Sequence, residues 1–161
     1  MRLIAATVAS LAMALALAAC GGGSETTAEV PGGADPAATR VINDWAHTLS
    51  RGDVDGAADY FAIPSIAENG PTVRIDSSAD AKLFNASLPC GALLVEAVGH
   101  AGYTIATFRL TERPGAGVCD AAADAEAQTA FKIVDGKIVE WRRVFPGGEN
   151  GGGPAAPQSS T

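Results

Sequence analysis

The chain has 161 residues, a net charge of −7 and no basic stripe interleaved with aromatics, which excludes a nucleic-acid-binding surface. Its length holds one domain once the ends are set aside. Its three cysteines are an odd count, so one of them needs a role outside an internal pair.

Met1 to Ala19 carries one positive charge (Arg2), then an apolar stretch from Leu3, then small residues before Cys20. That is the layout of a secretory signal, too short and too poorly flanked for an ordinary membrane span. Its end, Leu17-Ala18-Ala19-Cys20, resembles the lipobox of bacterial lipoproteins. The resemblance implies that residues 1–19 are removed and that the Cys20 sulfur carries a diacylglycerol. The alternative is an ordinary secretion signal with a chance cysteine. The expected location is the extracytoplasmic face of the cell membrane, with the lipid as the membrane contact. Residues 20–34 hold Cys20 and a Gly/Ser/Thr/Glu-rich stretch, a flexible tether reaching on the order of 20 Å.

With Cys20 lipidated, Cys90 and Cys119 remain as an even pair in an oxidising compartment, and a disulfide between them is expected. Two buried thiols are the alternative. Neither has a second cysteine or a histidine at ligand spacing, so no metal is expected. No Walker loop, nucleophile elbow or dinucleotide motif appears, and no cofactor is expected.

The domain is expected over residues 35–146. Asp35-Pro36 is an N-cap followed by proline at the first helical position. Val41, Ile42, Trp45 and Leu49 then share one helical face until Gly52. Asp53 caps a second helix predicted over Val54 to Phe61. Pro64, Asn69-Gly70 and Pro71 read as an irregular connection, with a short strand at Thr72 to Ile75. Ser77 or Ser78 caps a third helix, Ala79 to Leu88, expected to bury Leu83, Phe84 and Leu88.

From Leu93 the pattern becomes extended. Leu93 to Val98 and Tyr103 to Thr111 flank Gly99-His100-Ala101-Gly102, which reads as a hairpin loop. Gln128 to Val134 and Lys137 to Phe145 flank Asp135-Gly136, a strong type I′ turn signal. Arg113 to Ala125 is a Gly/Ala/Asp-rich loop carrying Cys119. Residues 147–161 are Gly/Pro-rich and are expected to be a tail. Three helices followed by a four-stranded antiparallel meander predict an α+β fold, with the helices on one face of a bent sheet.

Two stretches carry a wider resemblance. Asn43-Asp44-Trp45-Ala46-His47-Thr48-Leu49-Ser50-Arg51-Gly52-Asp53 and its continuation to Ala62 resemble the opening helix pair of nuclear transport factor 2-like proteins. Phe131-Lys132-Ile133-Val134-Asp135-Gly136-Lys137-Ile138-Val139-Glu140-Trp141-Arg142-Arg143 resembles their closing hairpin. The superfamily includes SnoaL-like polyketide cyclases, ketosteroid isomerases and non-catalytic binding domains. The resemblance implies a cystatin-like cone: a curved antiparallel sheet wrapped around three N-terminal helices, with an apolar pocket at its open end. A homodimer is implied by the resemblance only.

The resemblance also tests catalysis residue by residue. The isomerase general-base aspartate falls at Asn69, beside Glu68, and the isomerase tyrosine falls at Trp45. An amide cannot accept a proton at neutral pH, and an indole N–H only donates a hydrogen bond. Both substitutions argue against isomerase activity. Glu68 as a displaced base is the remaining carboxylate option, while His47 reads as a solvated side chain and His100 as a turn residue.

On the last strand Val139, Trp141, Arg143 and Phe145 alternate with Ile138, Glu140, Arg142 and Val144. Arg143 between two aromatics is a candidate receiver of a ligand carboxylate or enolate; stacking on Trp141 at the rim or pairing with Glu68 or Asp76 is the alternative. Tyr103, Ile105 and Thr107 alternate with Thr104, Ala106 and Phe108, and neither strand shows which face lines the pocket. The candidate pocket residues are Trp45, Tyr60, Glu68, Asn69, Phe84, Tyr103, Phe108, Phe131, Trp141 and Arg143, although aromatics such as Tyr60, Phe84, Phe108, Phe131 and Trp141 are more often core than ligand cage. The expected function is a tethered, non-catalytic module for a small apolar ligand or a protein partner. The alternative is a divergent cyclase- or isomerase-like enzyme acting on an apolar carbonyl substrate.

Overall fold

A computed structural model describes residues 33–119 and 123–145. The signal-like segment, Cys20, most of the expected tether and the expected tail lie outside the described residues. The first helix, α1 (Pro36–Ser50), starts where its cap signal stands: the Asp35 carboxylate accepts from the Ala37 N–H. Its apolar stripe buries Ile42, Trp45, Ala46 and Leu49. Asp53 likewise caps α2 (Val54–Ala58), accepting from the Gly56 N–H at 2.8 Å. This helix ends three residues before the predicted Phe61.

Phe61 instead begins β1 (Phe61–Glu68), which the sequence reads as an irregular connection. The prolines obscured it. Pro64 falls in the stretch between Phe61 and Ile66 where the β1–β6 ladder is irregular, so no ladder hydrogen bond is asked of its missing N–H. β1 continues through a tight turn into β2 (Thr72–Ile75). Ser77 caps α3 (Ser78–Ser87), its hydroxyl accepting from the Asp80 N–H.

The inner face of α3 is Ala81, Phe84 and Asn85, with Leu88 just beyond its end. Leu83 is one residue off that stripe and stands 70% exposed, contrary to the expectation that it is buried.

Two long hairpins follow: β3 (Gly91–His100) with β4 (Tyr103–Thr111), and β5 (Glu126–Val134) with β6 (Lys137–Val144). Both turn on two residues with positive φ, Ala101-Gly102 and Asp135-Gly136, as type I′ geometry requires. The first loop is therefore shorter than predicted, and His100 is the last residue of β3, paired with Tyr103.

The strands form one open, curved six-stranded sheet in the order β2-β1-β6-β5-β4-β3. The expected four-stranded antiparallel meander is thus incomplete. β1 and β2 extend it, and β1 lies parallel to β6.

Helix α1 crosses the inner face over β3 to β5. Close approach at β3 depends on Gly91, where a Cβ would lie 2.9 Å from the Ser50 Oγ. That hydroxyl accepts from the Ala92 N–H and donates to the Ala92 carbonyl.

Two β-bulges decide which side chains face the helices. In the closing hairpin Ile133 pairs with Ile138 but Lys132 pairs with Glu140, leaving Val139 as the extra residue. Ile138 and Trp141 consequently both enter the core, and Glu140 and Arg142 point outward. Strict alternation would have put both charges on the helix-facing side with Ile138. The same device acts on β3, where Val95 is extra between Leu94–Phe108 and Glu96–Thr107 pairs, turning Glu96 away from the helices.

The core centres on Trp45, whose ring meets Phe61, Phe108, Phe131 and Trp141 edge-on at centroid distances of 5.5–6.5 Å. Its indole N–H donates to the Asn85 Oδ1 at 2.9 Å, and the Asn85 amide donates to the Ala81 carbonyl at 2.8 Å. Asn85 is fully buried, so this chain of bonds removes two polar groups that would otherwise be orphaned in the core.

Cys90 and Cys119 form a disulfide with a Cα–Cα distance of 4.9 Å. Beside it lies a buried residue that sequence reasoning passed over. Arg113 donates from Nε and Nη2 to the Leu88 carbonyl at 3.1 and 2.6 Å, and from Nη2 to the Asn85 carbonyl at 3.1 Å. It thus caps the C-terminal end of α3 with a cation, where the orphan carbonyls and the helix dipole favour one. Burial pushes its pKa down without making it neutral. Replacing Arg113 with alanine should cost about 2–3 kcal/mol in urea unfolding, because the carbonyls it serves are left without donors. A loss below about 0.5 kcal/mol would mean that the cap is dispensable.

Candidate functional site

The inner face of the sheet is not filled at one end. A cleft of about 260 Å³ opens there. Its floor is Trp45 and Leu49 from α1, and its sheet wall includes Phe108, Ala127, Thr129 and Trp141. Leu88, Pro89 and Cys90 close the side next to the disulfide, while Asn69 and Phe145 stand at the exposed rim.

Arg143 projects into this wall from β6, directly across from Thr129 on β5. It is half-buried, and burial pushes its pKa down. Its guanidinium nevertheless stays charged at neutral pH. Among the described residues, Arg143 is the single ionisable side chain lining the cleft.

The structure sorts the sequence-derived candidates into three groups. Trp45, Asn69, Phe108, Trp141 and Arg143 line the cleft. Phe84 and Phe131 are core residues that do not reach it, and Tyr60 is packed against that core from the side.

Glu68 and Tyr103 lie on the opposite, outer face of the sheet. Glu68 pairs with Arg142, which also bonds Glu140 through Nε at 2.8 Å. Tyr103 donates its hydroxyl to Glu140 at 2.8 Å, and Lys132 approaches the other Glu140 oxygen at 3.6 Å. Burial opposes ionisation of Glu140, but the bonds from Arg142 and Tyr103 and the charges of Arg142 and Lys132 hold its pKa below the usual carboxylate range. Burial and the bond to Glu140 raise the pKa of Tyr103.

Glu68 therefore cannot serve as a base in the cleft. Glu68 ends β1 with its carboxylate held by Arg142 behind the sheet, whereas Asn69, the first residue after the strand, reaches the cleft mouth. His47 is exposed on α1, within hydrogen-bond reach of Arg51, and does not line the cleft either. The Trp45 N–H is already taken by Asn85. Arg143 does not take the pairings with Glu68 or Asp76 considered for it: Arg142 holds Glu68, and Arg74 holds Asp76 at 2.6 Å.

Nine lining residues, Thr129 and Leu49 among them, lay outside the sequence-derived candidates. The hairpin turn was the available signal for Thr129, but a two-residue turn read without the bulge sets Thr129 opposite Arg142.

The same architecture recurs among solved structures. A nuclear transport factor 2-like protein of unknown function from Cytophaga hutchinsonii superposes with a TM-score of 0.53 at 7% identity, covering 68% of this chain and 89% of that one. The fold is nuclear transport factor 2-like. A protein from Kribbella flavida shares it with a TM-score of 0.51 at 18% identity, over 70% of this chain and 88% of its own. So does a de novo designed protein with a curved β-sheet, with a TM-score of 0.50 at 9% identity, over 69% and 86%. No family model and no curated protein matches the sequence. Chains this dissimilar in sequence share a shape alone, so function has to be argued from the cleft itself.

Proposed function

We propose that this protein is a non-catalytic binding module for a small apolar ligand, held at the extracytoplasmic face of the membrane by a lipid on Cys20. One observation carries the binding reading: the cleft is walled by aromatic and aliphatic side chains and, among the described residues, no carboxylate or histidine lines it. Acid–base catalysis needs a group that can exchange a proton near neutral pH within reach of the substrate. Arg143 is too basic for that, and the Asn69 amide does not titrate. Apolar walls with few polar groups are what a small-molecule receptor requires. The lipid anchor rests on the lipobox resemblance.

Native and intact-mass spectrometry of the detergent-extracted protein from its own host tests both parts. The expected species is a chain starting at acylated Cys20 with a small-molecule adduct. The adduct should disappear in Ala127→Leu, which fills the cleft from β5. An unacylated chain overturns the anchor. A wild-type chain with no adduct, or one that Ala127→Leu leaves in place, overturns the cleft as receptor and points to a protein partner. Steady turnover of an apolar carbonyl compound by the purified protein would restore the cyclase- or isomerase-like alternative.

A further inference from the structure

The charge at Arg143 is placed where a folded protein gains nothing from it. It sits on an apolar wall with Trp141 and Phe145 on its own strand and Thr129 across the ladder. Among the described residues, Arg142, Arg74, Lys82 and Lys132 each have a carboxylate within 4.0 Å, and Arg143 has none. Burial removes part of its hydration, and among the described residues no carboxylate lies within 4.0 Å to offset that loss. On the same wall the Trp141 indole N–H is buried without an acceptor among the described residues.

We infer that the ligand is a small amphipathic carboxylate, its headgroup on Arg143 and its apolar body against Trp45, Phe108 and Trp141. This rests on the ligand-binding reading above and adds the ligand's charge and size. A guanidinium presents two parallel N–H groups that match the two oxygens of a carboxylate, and in a partly desolvated site that contact is stronger than in water.

An inorganic anion would satisfy Arg143 but leave the aromatic floor bare, and a neutral apolar molecule would do the reverse. A carboxylate joined to an apolar body meets both. Size narrows it further. A cavity of about 150 Å³ accommodates benzene, so a cleft of about 260 Å³ suits one ring with a short acid chain. A steroid or a long acyl chain would extend beyond its mouth. The chain's net charge of −7 gives a long-range field that disfavours anions, so selection for one must come from short-range contact with Arg143.

The test titrates the full-length protein with 4-phenylbutyrate and with its neutral analogue 4-phenylbutanamide, reading the indole N–H resonances of Trp45 and Trp141 and the heat of binding. The carboxylate should bind about tenfold more tightly or better. Arg143→Met should bind the two compounds equally, Arg143→Lys should keep part of the preference, and the exposed Arg74→Met should keep all of it.

An amide that binds as tightly as the acid, or a preference that survives in Arg143→Met, overturns the carboxylate assignment and leaves the apolar-ligand reading standing. Indole resonances that respond to neither compound up to millimolar concentration overturn both.

Discussion

Replacing Trp45 with alanine should destabilise the domain by about 4–5 kcal/mol, close to the whole stability of a weakly stable domain. Two separate losses add up at this one side chain. The ring is 2% exposed and makes edge-on contacts with four other aromatic rings, so its removal opens a cavity at the centre of the core. Its N–H is also the donor to the fully buried Asn85 Oδ1.

Trp45→Phe separates the two effects. It keeps much of the packing but leaves Asn85 without a donor, for an expected loss of about 1–3 kcal/mol. Urea unfolding of both variants, followed by far-ultraviolet circular dichroism, gives the comparison. A loss under about 1 kcal/mol in Trp45→Ala would contradict a central position for this ring.

Reduction of the Cys90–Cys119 disulfide should lower stability by roughly 3–4 kcal/mol, the chain-entropy value for a bridge closing 29 residues. Its place in the fold makes the effect large. Cys90 directly precedes β3, whereas Cys119 belongs to the segment between the two hairpins, so the bridge ties that segment to the start of the sheet's edge strand. The Arg113 clamp on the end of α3 is a second tie of that segment.

Denaturation with and without reductant measures the difference, and Cys90→Ser/Cys119→Ser should reproduce the reduced curve. Superposable curves would show that the bridge does not restrain the unfolded chain. Because Cys90 also lines the cleft, the reduced protein should bind the phenylbutyrate probe more weakly as well.

Much of the local structure was legible because its causes are local. Asp35, Asp53 and Ser77 cap the three helices by accepting N–H bonds within a few residues of themselves. Asp135-Gly136 forms its turn because those two residues tolerate positive φ. The cysteine count, taken with the lipobox resemblance at Cys20, led to the expectation of a Cys90–Cys119 pair, and the structure forms that bridge.

What escaped depends on partners far along the chain. β1 is built on Pro64-containing sequence that has no strand signature of its own, and it exists because β6 and β2 offer it ladders on both sides. Leu83 reads as a core residue on composition, but the turn of α3 places it one step outside the buried stripe.

The candidate site divides along the same line. Trp45, Asn69, Trp141 and Arg143 could be named from the sequence, but Glu68 could not be separated from Asn69 until the sheet placed them on opposite sides. Residue types and short-range patterns determined the helix caps, the Asp135-Gly136 turn and the α+β class by themselves. Tertiary structure decided the pairing register beyond the turns, and with it the extra residues Val95 and Val139. Each bulge shifts every later side chain on its strand by one place, and the gain lies in keeping Glu96, Glu140 and Arg142 away from a core that could not solvate them. That gain exists only when the helices are in place against the sheet, so no stretch of sequence read alone could show that Arg143 faces the cleft and Arg142 does not.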